Sequence, residues 1–361
     1  MQTAELQFNI IFTPYTAKYL SPFIASLLKW SDCRYLLIAN GCSKDDCNLL
    51  ESIASDNPRL DFTVVSETEA LEHGKVLRWL FERNSSPWFC FMDSDIIATG
   101  PFLDQVVERL ERCDVVSSCA PIWHAPEDIH LPTAFRRLQG SHIQTDRGVC
   151  VACAYFVVFK SEPLADILQM TGVDFPVQRW ENIAPELQQK LQDVHLDKFD
   201  YDTAKLIASL MIEQGARFEY VWLDNLIHIG GFSAEAGDGL PFVFRGGVDR
   251  LALKFGIGPL RPLFFYLADI WYGLRSPAPG LTAEQHRQLP FAEKRILESR
   301  RRKRLNTARY FNIFLRSLID DIPAPPLPAL GHAPAEQRIA AVSEQIRELH
   351  RELDSTGHSA D

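Results

Sequence analysis

The sequence predicts an α/β protein built on a largely parallel sheet, and three observations carry that prediction. Short apolar runs alternate with helical patterns through the first half of the chain, the order expected when strands are joined by crossover helices. The run Trp88-Phe89-Cys90-Phe91-Met92 is apolar without alternation, as a strand covered on both faces must be. Several runs stop abruptly at turn-forming or acidic residues, which marks strand ends gathered along one edge, where open sheets bind ligands.

The elements follow in order. Phe8-Asn9-Ile10-Ile11-Phe12 is a strand, stopped by Thr13-Pro14-Tyr15. Tyr19 to Trp30 is a helix whose Leu20, Phe23, Ile24, Leu27 and Leu28 fall on one face. Tyr35 to Ala39 is the second strand, broken by Asn40-Gly41, and Asp45 to Ser55 a second helix. Leu60 to Val65 is the third strand, and the helix Lys75 to Arg83 delivers the chain into the fourth, from Trp88 to Met92. Cys150 to Phe159 is a later strand, Thr203 to Gln214 a helix closed by Gly215, and Phe218 to Leu223 another strand. Aromatic helices begin near Leu251; a stiff Pro-rich linker at Pro323 to Pro328 precedes a polar helix from Glu336 to Leu353. These changes of texture suggest units at 1–250, 251–322 and 323–361.

Composition narrows the function. A chain of 361 residues that is 46% hydrophobic can bury a full core. Its net charge of -10 argues against nucleic acid as a partner. The start, M-Q-T-A-E-L-Q-F, has no charged n-region ahead of an apolar core, and no stretch offers the roughly 20 apolar residues of a membrane span, so a cytoplasmic protein is expected. The cysteines, including the C-x-x-C of Cys150 and Cys153, are then expected to be reduced thiols; a zinc site would need a second pair.

Chemistry concentrates after the fourth strand. Asp93 and Asp95 flank Ser94 at its end, two hard oxygen ligands with room left for water and a phosphate, the usual way a protein holds Mg2+ or Mn2+ against a nucleotide. An Asp-rich turn is the plainer alternative. Asp202 stands before an amphipathic helix, where it could be an N-cap or a general base. His228 in L-I-H-I is a core imidazole or a ligand; Gly230-Gly231 after it would let backbone approach a bulky group. Ser233 to Gly247, rich in glycine with Leu240, Phe242 and Phe244, suits a lid or a surface loop equally well.

The motifs F-N-I-I-F-T-P-Y, L-I-A-N-G-C-S-K-D, H-G-K-V-L-R-W-L-F, F-C-F-M-D-S-D, F-D-Y-D-T-A-K-L and I-H-I-G-G occur in an order that resembles glycosyltransferases of the GT-A fold, most closely family 2, over about Phe8 to Ser233. The resemblance implies a GT-A sheet of mostly parallel strands flanked by helices, with a helical C-terminal extension. It implies a nucleotide-sugar donor, UDP- or GDP-linked, and a hydroxyl acceptor. Thr13, Pro14, Tyr15 and Asn40 would line base and ribose, Asn40 standing where many relatives have an acidic residue. Lys75 and Arg78 would face the diphosphate, and Asp93 with Ser94 the ribose or sugar. Asp95, Asp93 and His228 would hold Mn2+ (or Mg2+), and Asp202, with Asp200 in reserve, would be the general base. An inverting outcome is expected, with a retaining one open. A phosphohydrolase or nucleotidyltransferase and a non-catalytic scaffold remain the rivals.

Leu260 to Leu274 is strongly aromatic and Lys294 to Arg304 strongly basic. Together they resemble an interfacial anchor, which leaves a peripheral membrane contact through 260–304 open beside the alternative of helices covering the core. A homo-oligomer is open as well.

Overall fold

The computed structural model describes residues 5–118, 121–124, 137–138, 155–232, 287–320 and 323–355. The expectations placed on Cys150 and Cys153, on Ser233 to Gly247 and on Leu260 to Leu274 lie outside the described residues.

The chain opens β1 (Gln7–Phe12), α1 (Ala17–Trp30), β2 (Arg34–Asn40), α2 (Lys44–Ser55), β3 (Leu60–Ser66), α3 (His73–Phe81) and β4 (Trp88–Asp93), each within two residues of its expected start. It continues through β5 (Ile96–Ala98), α4 (Leu103–Leu110), β6 (Val115–Ser118), β7 (Phe156–Lys160), α5 (Ser161–Thr171), β8 (Gln178–Arg179), α6 (Pro185–Asp193), β9 (Asp200–Tyr201), α7 (Lys205–Glu213), β10 (Phe218–Tyr220) and β11 (Leu226–His228). Two long helices follow, α8 (Phe291–Ile319) and α9 (Ala333–Ser355).

Seven strands form one sheet in the order β10-β6-β7-β4-β1-β2-β3. All neighbours are parallel except β7, which runs against both β4 and β6. Alternate residues of each strand feed two cores. Phe8, Ile10, Leu37, Cys90, Met92, Phe156 and Val158 face α1, α2, α4, α8 and α9. Ile11, Ile38, Phe89, Phe91, Val157 and Phe159 face α3, α5, α6 and α7. Burial on both faces is why β4 shows no alternation of polarity. Each fully buried Phe is worth about 1.5–3 kcal/mol over its exposed state.

Local chemistry explains the joints. Ser43 and Asp46 form a reciprocal capping box that starts α2. Gly74 lets α3 lie against the neighbouring loop, since a Cβ there would stand 2.3 Å from Pro176 backbone. Helix α8 is one continuous helix: its first half carries the basic run, while Tyr310, Phe311, Phe314 and Leu315 join Ile339, Val342 and Ile346 of α9 in the α1-side core. Asp320, just past α8, is tied to Lys18 at 2.8 Å and to the Tyr19 hydroxyl at 2.7 Å. Among the described residues Cys33, Cys42, Cys47, Cys90 and Cys113 are free thiols, and no helix is long and apolar enough to cross a membrane.

Candidate active site

Sheet order and register build the site. Strands β2, β1 and β4 are adjacent and parallel, so Asn40, Thr13 and Asp93 end along one edge, with Asp93 opposite Ile11. After Asp93 the chain turns through Ser94 and Asp95 into β5, which pairs antiparallel with β11 and sets Ile96 opposite His228. The Ile229 N–H continues that ladder by donating to the Asp95 carbonyl at 3.1 Å. On its other edge His228 bridges Pro121, and its carbonyl accepts from the Ile122 N–H at 2.8 Å. Backbone contacts on both sides thus fix the imidazole.

His228 Nε2 lies 3.1 Å from Asp95 Oδ1 and 3.4 Å from Asp93 Oδ2. The second Asp95 oxygen accepts from the Phe232 N–H at 3.1 Å. Tyr155 lays its ring over the imidazole at 4.1 Å between centroids, and its carbonyl accepts from the Asp93 N–H at 2.8 Å. Asp95 and His228 are only 1% and 2% exposed. Burial raises the Asp93 carboxyl above its ordinary value, against the close contact and charge of His228. For His228 burial alone would depress the imidazole; the charge of Asp95 and the contacts of both carboxylates outweigh it and hold the group at about 9.

This arrangement fits a divalent cation. Asp95 Oδ1 and His228 Nε2 approach to 3.1 Å yet miss hydrogen-bond geometry, leaving two buried polar atoms unsatisfied. One ligand atom each from Asp93, Asp95 and His228 lies within 4.8 Å of the others. Two oxygens and one nitrogen form a mixed donor set that suits Mn2+ better than Mg2+, and three protein ligands leave positions for water and phosphate.

The other expected residues are distributed unevenly. Tyr15 is half exposed with a left-handed backbone (φ 67°), a conformation an L-residue adopts at a cost, and its N–H bonds to Asp46 at 3.2 Å. Asn40 is buried, and its amide exchanges two bonds with the Leu71 peptide, 2.9 and 2.8 Å, so it latches the loop after β3 across the tip of β2. Lys75 is exposed on α3, while Arg78 pairs with Glu82 at 2.8 Å. Asp202 is not the N-cap of α7: the helix begins at Lys205 behind a left-handed Ala204, and the Asp202 carboxylate accepts from the Thr203 N–H at 2.9 Å. It lies outside the Asp93–Asp95–His228 cluster. Asp200 lies in β9, where burial raises its carboxyl.

The backbone itself calls for glycine at Gly230 and Gly231. Both have positive φ, 77° and 98°, and the near neighbours of Gly230 are the His228 ring and Pro121. Sequence reasoning missed Tyr155, hidden inside an apolar strand pattern, and Phe232, whose backbone rather than side chain does the work. It also missed His73, which packs edge-on against Phe91 and whose charge favours the ionised Asp93.

No protein-family model and no curated protein matches the sequence. Among solved structures the chain is similar to a mannosyltransferase from Pyrobaculum calidifontis in complex with GDP-Man and Mn2+, with 13% identity and a TM-score of 0.40 over 96% of this chain and 86% of that one. It is similar to S. aureus TarS 1-349, with 12% identity and a TM-score of 0.39 over 98% and 92%. It is also similar to a putative glucose-1-phosphate thymidylyltransferase from Bacillus anthracis, with 11% identity and a TM-score of 0.37 over 65% and 95%. Likeness at this level concerns the course of the chain, not its chemistry.

Proposed function

We propose that the chain is a metal-dependent glycosyltransferase that moves a sugar from a nucleotide-diphosphate sugar to an acceptor hydroxyl, with inversion. The observation that carries this reading is the convergence of Asp93, Asp95 and His228 at the end of a central strand, with three of their buried atoms unsatisfied. Bound there, Mn2+ would supply positive charge against the departing diphosphate. Asp95, held through its second oxygen by the Phe232 amide, and His228, clamped on both backbone edges, keep that position fixed before any substrate arrives.

In this reading Thr13, Pro14 and Tyr15 accommodate the base and ribose, with the Tyr15 ring as the exposed platform. Asn40 shapes the same wall by holding the Leu71 loop. Ser94 and Asp93 take the ribose or sugar, while Lys75 and Arg78 offer cations to the diphosphate. Asp202 accepts the acceptor proton as that oxygen attacks the anomeric carbon. The catalytic unit is 1–250, with 251–322 and 323–361 as its C-terminal extension, and the protein works in the cytoplasm.

The test is incubation with Mn2+ and a panel of nucleotide sugars, followed by nucleotide release and thermal stabilisation. One donor should both stabilise the protein and lose its sugar. Stabilisation by no nucleotide would favour a scaffold, and turnover of simple phosphate esters would favour a hydrolase; either overturns the proposal.

A further inference from the structure

The two C-terminal helices converge on one short segment, 121–124, that belongs to no named strand. Its residues Ile122, Trp123 and His124 are 1%, 6% and 4% exposed, so its carbonyls require donors within the protein. Arg338 of α9 supplies them: its Nη1 donates to the Ile122 carbonyl at 3.1 Å and to the His124 carbonyl as well. Arg300 of α8 places Nη2 2.8 Å from His124 Nε2. The segment closes on itself through the His124 N–H and the Pro121 carbonyl at 2.8 Å.

That segment is also what holds the outer edge of β11. Pro121 bridges His228, and the Ile122 N–H donates to the His228 carbonyl. Through that bridge and that bond the turn is tied to the backbone of the residue that carries the imidazole. A shift of the turn is therefore passed to the ring. Charge-assisted bonds such as those of Arg338 are roughly twice as strong as neutral ones.

We propose that Arg338 is a positioning residue for the candidate metal centre: by gripping the Ile122 and His124 carbonyls it presses the 121–124 turn onto β11 and sets the His228 imidazole between Asp93 and Asp95. The proposal rests on the metal-centre reading. It makes α9 part of the site's assembly, although the helix carries no ligand.

The test is a Mn2+ titration followed by EPR, with pulsed EPR reading the nitrogen coupling of a bound imidazole. The proteins are the full-length wild type, Arg338→Ala, Arg338→Lys, and Arg347→Ala as a control on the same helix. Arg347 stacks on Phe314 at 4.9 Å and pairs with Glu344 at 2.9 Å, so its loss loosens α9 without touching the turn. Arg338→Ala should weaken Mn2+ binding about tenfold, the usual cost of removing an outer partner of a metal ligand, and reduce the nitrogen coupling. Arg338→Lys should restore part of both, and Arg347→Ala should change neither. If the Ala variant does not fold, Arg338→Met, which keeps the stem, makes the same comparison.

Unchanged affinity and coupling in Arg338→Ala or Arg338→Met overturns the proposal alone. An equal loss in Arg347→Ala also overturns it, by showing general loosening of α9. A wild type that binds no Mn2+, or binds it without nitrogen coupling, removes the metal-centre reading and the positioning role with it.

Discussion

Lowering the pH should weaken Mn2+ binding to this protein by competition at His228. In the metal-free site the imidazole is held at about 9 by two carboxylates that outweigh its burial, against about 6.5 for an unperturbed histidine. A metal ligand must be neutral, so near pH 7 binding has to expel a proton. The apparent affinity should then rise about tenfold per pH unit, or nearly two orders of magnitude between about pH 6.5 and 8.5, equivalent to about 2.5 kcal/mol. Calorimetric titration in two buffers of different protonation enthalpy reads the release directly, and close to one proton per metal is expected near pH 7. His228→Ala should bind more weakly and release none. The metal-free protein should show the opposite trend in stability. A raised folded pKa contributes stability that is full below about 6.5 and is lost as the pH climbs through about 9, so the thermal midpoint should fall over that window. A Mn2+ affinity that is flat across the window, or binding without proton release, would refute the reasoning.

Three further outcomes follow from the same geometry. Asp202→Asn should abolish sugar transfer while leaving donor binding, measured by thermal shift, intact; unchanged transfer removes Asp202 as base. Gly74→Ala should destabilise the protein by about 1–3 kcal/mol in urea unfolding, because the new methyl would meet Pro176 backbone at 2.3 Å. The exposed Phe291, Ile296, Arg295, Arg302 and Arg304 of α8 should draw the protein to anionic vesicles at low salt and release it at high salt; indifference to vesicles rejects the membrane contact.

Strands β1 to β4 and helices α1 to α3 were legible because strong apolar runs alternate with helical patterns and are broken by turn residues, as at Thr13-Pro14 and Asn40-Gly41. Strands β5 and β11 were not, since three residues carry no period; only their mutual pairing makes them strands. The candidate cluster of Asp93, Asp95 and His228 could be named from D-S-D and I-H-I-G-G, yet the physical cause of its convergence, His228 pinned between Ile96 and Pro121, joins residues over 100 positions apart. Asp202 misled as a cap because sequence shows a polar residue ahead of a helix but not the left-handed Ala204 that delays the helix by two residues. The basic run of α8 hid a continuous helix, because its polar face precedes its buried one along the chain rather than facing it across the axis.

The reversed direction of β7 has an evolutionary consequence. Because β6 leaves the sheet and β7 re-enters it at the same rim, the connection between them needs no crossover helix and no fixed span. Of its anchor points, Tyr155 lies over the His228 ring and Ser118 pairs with Phe156 beside it. Apart from the 121–124 turn, which is committed to holding His228, material inserted or exchanged between those anchors would leave every crossover of the scaffold as it is, making this a natural place for relatives to diverge and for an engineer to graft a new preference.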